Sequence, residues 1–300
     1  MTYSIVARDP DTGEFGVAVQ TKWLAVGAVV PWLEPGVGAV ATQSFVEVAY
    51  GPRLLERLRG GAAPAEALAA LLADDPQADV RQVGVVDARG RAAGHTGARC
   101  VREASNLTRE NLTCQANMME RPTVPTALQA GYDRAAADGL DLPARLMAAL
   151  RAAEAEGGDV RGRQSAALVV TGPPGADPWV RKFDIRVDDH PAPLDELARL
   201  LQLARAFATM DEGDNALAVG DRDAAAAFYM RGLELAPDDD QAMVLAAGGL
   251  VQLGRFDEAA PLLRKAKRVN ARWPEFVRRF SAAGHAPPVS EDQLRELFGD

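Results

Sequence analysis

The first 22 residues constrain the fold more than any other stretch, because they have the pattern of an antiparallel β-hairpin. Residues 2–8 and 15–22 are β-type runs, and the turn-forming sequence DPDTGE separates them. If residues 10–14 form the loop, one face of the hairpin is mostly apolar, as a half-buried strand pair requires. In that register Thr2 lies directly opposite Lys22, within side-chain reach.

The position of Thr2 directly after the initiator methionine suggests a chemical role. Removal of Met1 would give Thr2 a free α-amine, and such amines titrate near pH ~8. One residue would then carry both a nucleophilic hydroxyl and a general base. A cation at Lys22 would lower the proton affinity of the amine and favour attack. The alternative is that Thr2 only begins a strand and that Lys22 is an ordinary surface lysine.

Composition argues against several classes of function. The chain has 300 residues, 48% of them hydrophobic and 25% charged, which is ordinary for one large or two smaller globular domains. The net charge of -9, without a basic cluster, argues against nucleic-acid or anionic-membrane partners. No leader pattern and no apolar run of about 18 residues is present, so we expect a cytoplasmic protein. The two cysteines and three scattered histidines predict no disulfide framework, no metal and no cofactor.

The order of the predicted elements favours an α+β fold in which helices cover antiparallel sheets. Beyond the first hairpin, strands are predicted at residues 24–32, 37–44, 81–87, 91–96, 165–171 and 179–187. Helices are predicted at residues 52–59, 64–73, 122–137 and 143–156. Because the strands and helices come in groups rather than in alternation, we predict a four-layer αββα sandwich instead of βαβ units.

Beyond Pro193 the strand pattern stops and a helical repeat begins. The sequences GDRDAA at 220–225 and GRFDEA at 254–259 recur at the tetratricopeptide period of 34 residues. Because about 3 repeats are needed for stability, flanking helices near residues 194–210 and 273–280 should complete the stack. The sequence therefore predicts an αββα domain at 1–195 and an all-α tetratricopeptide-like domain at 196–300.

Several separated motifs resemble the bacterial family called domain of unknown function 1028. They are MTYSIVARDPDTGEFGVAVQTKW, GVGAVATQS, RQVGVVDARGRAAGHTG, NLTCQANMM, RGRQSAALVV and RVDDHPAP, spread over roughly residues 1–200. That family is grouped with the N-terminal nucleophile (Ntn) hydrolases, so the resemblance implies an αββα sandwich with its nucleophile at the start of the first strand. By position it implies Thr2, and only loosely Lys22, which comes earlier than the lysine of proteasome-like members. It implies no particular reaction.

Four residues in these motif segments are candidates for binding a substrate. Gln43 and Asn117 could donate amide hydrogens to an oxyanion, and the alternative is that each stabilises a loop. Arg163 and Gln164 could hold a substrate carboxylate or instead form a structural ion pair.

Three interpretations of function remain open at this point, and they disagree on whether the chain is an enzyme. The first is an amidohydrolase that cleaves a small amide or peptide bond through Thr2. The second is a catalytically silent Ntn-like domain that binds a small ligand. The third is an adaptor whose repeats bind a protein or peptide partner. Self-association is compatible with all three, because sandwich faces and repeats present exposed surface.

Overall fold

The computed structural model describes residues 2–299, which contain two antiparallel sheets and a helical carboxy-terminal region. The strands are β1 (Thr2–Arg8), β2 (Phe15–Thr21), β3 (Pro31–Glu34), β4 (Gly38–Ser44), β5 (Arg81–Asp87), β6 (Ala92–Thr96), β7 (Ser105–Arg109), β8 (Leu112–Asn117), β9 (Ser165–Thr171) and β10 (Arg181–Val187). The helices are α1 (Tyr50–Arg59), α2 (Pro64–Ala73), α3 (Val124–Ala137), α4 (Leu142–Ala155), α5 (Pro193–Ala218), α6 (Arg222–Leu235), α7 (Asp240–Gln252), α8 (Phe256–Val269), α9 (Trp273–Ala282) and α10 (Glu291–Phe298).

The chain divides into two compact units, the first ending at Arg199 and the second beginning at Leu200. The division falls inside α5, a continuous helix of 26 residues, and not in a loop. Within residues 2–299 the structure contains no helix that combines the length and the apolar character needed to cross a bilayer.

The two sheets of the first unit lie face to face. Sheet A has the strand order β10-β9-β2-β1-β8-β7 and sheet B the order β3-β4-β5-β6. Val17 and Val19 of sheet A pack against Ala39 and Ala41 of sheet B. Helices α1 and α2 cover sheet B, while α3 and α4 cover sheet A. The prediction of antiparallel sheets with helices, followed by a helical region, is confirmed.

The register of the first hairpin differs from the predicted one by one residue. Arg8 pairs with Phe15, so the loop has six residues and Thr2 pairs with Thr21. The predicted pairing of Thr2 with Lys22 is therefore wrong, and Lys22 lies one residue beyond β2.

The closure of that loop explains the register. The Asp9 N–H donates to the Glu14 carbonyl oxygen at 2.9 Å, and the Asp9 carboxylate accepts the Asp11 N–H at 2.9 Å.

Both strands of the hairpin are buried on both faces. Because neither face meets water, polar and apolar residues do not have to alternate, and the pattern on which the prediction relied carries little information about register.

Two further strand predictions are corrected by the structure. The predicted strand at 24–32 is instead a turn with a short 3-10 helix at Val26–Ala28, followed by β3. The hairpin of β7 and β8 is not predicted at all. In β8 the side chains of Thr113, Gln115 and Asn117 are buried, so this central strand lacks the apolar run that marks buried strands.

The second unit has a core built largely from small residues. Ala225, Ala259 and Ala266 are fully buried, which permits close approach of helix backbones. Gly220 and Gly254, which are 34 residues apart, follow α5 and α7 with φ of 83° and 73°. Such left-handed glycines commonly end helices, so the recurring sequence marks the same structural position twice.

A tyrosine at the centre of this core depends on two glycines. The Tyr229 hydroxyl donates to Asp214 Oδ1 at 2.6 Å, and its ring lies between Gly213 and Gly249. A Cβ added at Gly213 would lie 2.8 Å from the ring, and one added at Gly249 would lie 2.2 Å from it. The ring therefore fits only because both positions lack a side chain.

Candidate functional site

Thr2 begins a central strand of sheet A, and its side chain faces sheet B. It lies between Thr21 of β2 and Asn117 of β8. On the same face of β1, Ser4 donates to Gln43 Oε1 of sheet B at 2.6 Å. The Thr2 hydroxyl donates to Thr21 Oγ1 at 3.1 Å. Thr2 is only 5% exposed, so its hydroxyl is held in one place.

Two amide side chains hold the carbonyl oxygen of Thr2. Gln43 Nε2 donates to this oxygen at 3.1 Å, and Asn117 Nδ2 donates to it at 3.3 Å. The same two nitrogens donate to Gln82 Oε1 at 2.8 Å and 2.7 Å. The structure therefore brings together three predicted site residues, namely Thr2, Gln43 and Asn117.

Gln82 is a central member of this network that the sequence reasoning missed. Its Nε2 donates to the Ala116 carbonyl oxygen at 2.8 Å and to Thr96 Oγ1 at 2.9 Å. We call Gln43, Gln82, Gln115 and Asn117 the amide cluster; all four are buried. Gln82 lies in β5, next to the apolar run at the centre of that strand. The only feature of the sequence that could have indicated its role is the presence of an amide beside this apolar run.

The amide cluster is fully hydrogen-bonded. Among the described residues, the one buried side-chain oxygen or nitrogen without a partner is Gln20 Oε1. Gln20 lies on the helix-facing side of sheet A, where its Nε2 donates to Glu154. Because a buried amide without a partner costs about 1–3 kcal/mol, a satisfied network of this kind fixes the geometry around Thr2.

Two strained backbone positions follow the amides that bond Thr2. Ser44 comes directly after Gln43 with φ of 71°, and Met118 comes directly after Asn117 with φ of 60°. A left-handed conformation costs a non-glycine residue roughly 1–2 kcal/mol. Strain of this kind gathers at functional sites, where the surrounding structure holds it in place.

Lys22 does not lie opposite Thr2. It is exposed, and its backbone N–H donates to Asp159 Oδ2 at 3.1 Å. Thr21 takes the place that the predicted register assigns to Lys22. The immediate polar neighbour of the Thr2 hydroxyl is therefore a neutral hydroxyl and not an ammonium group.

Arg163 and Gln164 are held in contacts away from Thr2. Arg163 Nη1 donates to Glu154 Oε1 at 3.3 Å, and Glu154 also accepts the Tyr3 hydroxyl on the helix-facing side of sheet A. Gln164 Nε2 donates to Asp189 Oδ1 at 3.1 Å. These contacts match the alternative of a structural role for both residues.

Two other groups near the site are poor nucleophiles. Burial raises the pKa of the Tyr3 phenol, and the neighbouring Glu154 carboxylate raises it further. Burial also raises the pKa of the Cys114 thiol. Both groups therefore stay protonated near neutral pH, and a thiol reacts as its thiolate. Within residues 2–299, no three His, Cys, Asp or Glu side chains are arranged to hold a metal ion.

A cleft of about 640 Å³ adjoins the amide cluster. Thr96, Ser105 and Asn106 contribute to its wall. Thr96 Oγ1 accepts from Gln82 and donates to Asn106 Oδ1 at 2.8 Å. Hydrogen bonds therefore run from the wall of the cleft through Gln82 to the amides that hold Thr2.

Comparisons with known proteins agree with the resemblance in the sequence motifs. The model of the family of unknown function DUF1028 matches residues 2–197. The crystal structure of protein SPO2555 from Silicibacter pomeroyi, which carries the same family designation, matches with a TM-score of 0.61 and 32% sequence identity. That match covers 68% of this chain and 85% of that one. No curated protein matches the chain. Since the family model spans the strands of both sheets and all the site residues described above, the chain belongs to the family of unknown function DUF1028.

Proposed function

We propose that this chain is an Ntn-type amidohydrolase that cleaves a small amide or peptide bond through Thr2 after removal of Met1. The observation that carries the proposal is the position of Thr2 at the start of a central strand, with its hydroxyl bonded to Thr21 and its carbonyl held by two buried amides. The packing of helices outside two facing sheets supports an Ntn-type sandwich for the first unit. The recurrence at 34 residues supports a tetratricopeptide-like second unit.

The reaction would proceed through an ester of Thr2. The Thr2 Oγ attacks the amide carbonyl carbon, and its proton passes to the free α-amine, directly or through a water molecule. The carbon–nitrogen bond then breaks as the ammonium returns a proton to the leaving nitrogen. Water attacks the ester with the same amine as base, and this releases the carboxylic acid and regenerates the Thr2 hydroxyl.

The amides around Thr2 act in this proposal as positioning residues. Each amide nitrogen of Gln43 and Asn117 already donates to the Thr2 carbonyl oxygen and to Gln82 Oε1. A side-chain amide has two N–H donors, so neither residue has one left for an oxyanion. Their contribution is to fix the strand end from which the hydroxyl reacts.

The proposal predicts a rate that rises with pH. The α-amine must be a free base to accept the proton, and such groups titrate near pH ~8. Below that pH the amine is protonated and the rate should fall in proportion to the free-base fraction. Lys22→Ala should spare both the rate and the fold, because Lys22 is exposed and Thr21, not Lys22, pairs with Thr2.

The test is labelling with an epoxyketone, an electrophile whose ring-forming reaction requires a hydroxyl and a free amine on the same residue. Peptide mass mapping should place the label on Thr2. Thr2→Ala should abolish labelling, while Thr2→Ser should retain it because the amine and a hydroxyl are both kept. Failure to label a chain whose amino terminus is verified as Thr2 would contradict the proposal.

A silent ligand-binding domain is the second candidate function. It is favoured by the small exposure of Thr2 and by the open cleft of about 640 Å³ that adjoins the amide cluster. In that case ligand binding in the cleft would be unaffected by Thr2→Ala, and no label would appear.

A further inference from the structure

Large exposed apolar side chains gather around the end of the sheets at which Thr2 lies. We call this group the apolar rim; it consists of Trp23, Leu24, Phe45, Val46, Val101 and Val160. Trp23 is 66% exposed and Phe45 is 58% exposed. Single exposed apolar residues need no explanation, but a group of them around one site indicates a binding surface.

Two segments of the rim follow directly from residues that contact Thr2. Trp23 comes two residues after Thr21, whose hydroxyl accepts from Thr2. Phe45 comes two residues after Gln43, whose amide donates to the Thr2 carbonyl oxygen. Two residues span at most about 7 Å, so the backbones of both aromatic residues lie close to the residues that contact Thr2.

The third segment of the rim is tied to the residue after Asn117. The Met118 N–H donates to the Val101 carbonyl oxygen at 2.9 Å, and the Val160 N–H donates to the Met118 carbonyl oxygen at 3.2 Å. The neighbours of Thr2 in β2 and β4 are thus followed by exposed apolar residues, and the residue after its neighbour in β8 is hydrogen-bonded to two more.

The backbone of the rim is held by side chains of the sheets. The Ser165 hydroxyl donates to the Trp23 carbonyl oxygen, and Arg81 Nη1 donates to the Phe45 carbonyl oxygen at 2.7 Å. These contacts keep the two aromatic positions at the surface before any ligand arrives. A site formed in advance loses less conformational freedom on binding.

We propose that the apolar rim receives an apolar chain or ring joined to the amide that Thr2 cleaves. This inference rests on the proposed function of Thr2 and names the substrate class: amides with an aliphatic or aromatic group beside the scissile bond. Small-molecule sites combine such apolar walls with a few placed polar groups. Here the polar groups are the Thr2 hydroxyl and the polar wall of the adjoining cleft.

The chain provides a matched control for this inference. Trp179 is 75% exposed and lies in the loop between β9 and β10. That loop contacts the turn between β1 and β2, because a Cβ added at Gly13 would lie 2.6 Å from Pro174. Trp179 is therefore an exposed tryptophan at the end of the sheets opposite Thr2.

The experiment measures binding by calorimetry to the full chain carrying Thr2→Ala, so that no turnover occurs. The probes are N-octanoylglycine, with the apolar chain on the acyl side, N-octylacetamide, with it on the amine side, and N-acetylglycine. At least one octyl probe should bind about tenfold or more tightly than N-acetylglycine, because its methylenes leave water. The octyl probe that binds shows which side of the amide the rim accepts.

Substitutions of the two tryptophans decide whether the rim is responsible. Trp23→Ala should weaken binding of that octyl probe about tenfold, while Trp179→Ala should leave it unchanged. The inference would be overturned if both variants bound that octyl probe with equal affinity, or if the octyl probes bound no more tightly than N-acetylglycine. A change of oligomer mass on Trp23→Ala, with probe affinity unaltered, would assign the rim to an interface between copies and would also overturn it.

The two proposals fail separately. Epoxyketone labelling of the unsubstituted chain without octyl binding would leave the Thr2 proposal standing and remove the rim. Octyl binding that depends on Trp23, without labelling, would leave an apolar binding site and remove the nucleophile.

Discussion

The hydroxyl of Thr2 donates to the hydroxyl of Thr21, and this neutral contact determines what can activate it. A hydrogen bond between neutral groups contributes about 1 kcal/mol and orients the oxygen. It does not stabilise an alkoxide as a nearby cation would. Activation in the proposed reaction therefore depends mainly on the α-amine of Thr2 itself.

The amide of Gln82 offers a test of the network that holds Thr2. Gln82→Leu would leave Gln43 Nε2, Asn117 Nδ2 and the Ala116 carbonyl oxygen short of partners. We expect the free energy of unfolding to fall by about 2–4 kcal/mol, since each buried group left unpaired costs about 1–3 kcal/mol and some will find others. Chemical denaturation of the first unit measures this change.

The control for Gln82→Leu is the same substitution at a surface glutamine. Gln77 is exposed, and its Oε1 accepts from Arg81 at 3.2 Å. Gln77→Leu should change stability by about 0.5 kcal/mol or less. Equal effects of the two substitutions would show that the buried amides do not act as a network.

Residue identity in the motifs predicted part of the site. The position after Met1, at the start of a predicted strand, identifies Thr2, and polar residues in motif segments identify Gln43 and Asn117; the structure brings the three together. Gln82 was missed because one amide inside an apolar run resembles any strand interior. The predicted pairing partner of Thr2 is wrong because both faces of the hairpin are buried. Polar and apolar residues then need not alternate, so their pattern does not indicate the register.

At the scale of elements, we predict that replacing either of two adjacent glycines of α7 by alanine has opposite effects on stability. No heavy atom lies within 4 Å of a Cβ added at Gly248, and this position is exposed. A Cβ at Gly249 would lie 2.2 Å from the Tyr229 ring. Gly248→Ala should raise the stability of the second unit by about 0.5–1 kcal/mol, because alanine is the better helix former. Gly249→Ala should lower it by about 1–3 kcal/mol through overpacking.

Thermal unfolding of the two variants measures both signs in the same helix. A shift in the same direction for both would mean that helix propensity, and not the fit around Tyr229, dominates at these positions. Each variant is the control for the other, because the chemical change is identical.

The predictability of the elements followed the strength of their local signals. The helices α1 and α2 have leucine stripes and a proline in the first turn or at the start. Their predicted carboxy-terminal ends agree with the structure, and α1 begins two residues earlier than predicted. Strand β8 had no such signal because its buried face carries Thr113 and Gln115 in place of apolar residues. Polar side chains that meet between two sheets are specified by tertiary contacts, which a single strand's sequence does not display.

At the scale of the molecule, the division into two units predicts that the first unit alone forms the Thr2 site. The family model ends at residue 197, and the first unit ends at Arg199. A fragment of residues 1–199 contains all ten strands described here. It should fold, melt in one transition, and react with the epoxyketone as the full chain does.

The fragment could fail in two ways, and each has a different meaning. If it is soluble and folded but does not react, while the full chain does, then the helical unit contributes to the site. If it does not fold, the helix α5 has to continue beyond Arg199 to stabilise the sheets.

The most direct test of the central claim is the intact mass of the full chain before and after treatment with the epoxyketone. The account predicts an untreated mass that lacks one methionine residue and a treated mass increased by one epoxyketone. A chain that retains Met1, or one that begins at Thr2 and gains no epoxyketone, would contradict the claim that Thr2 is the nucleophile.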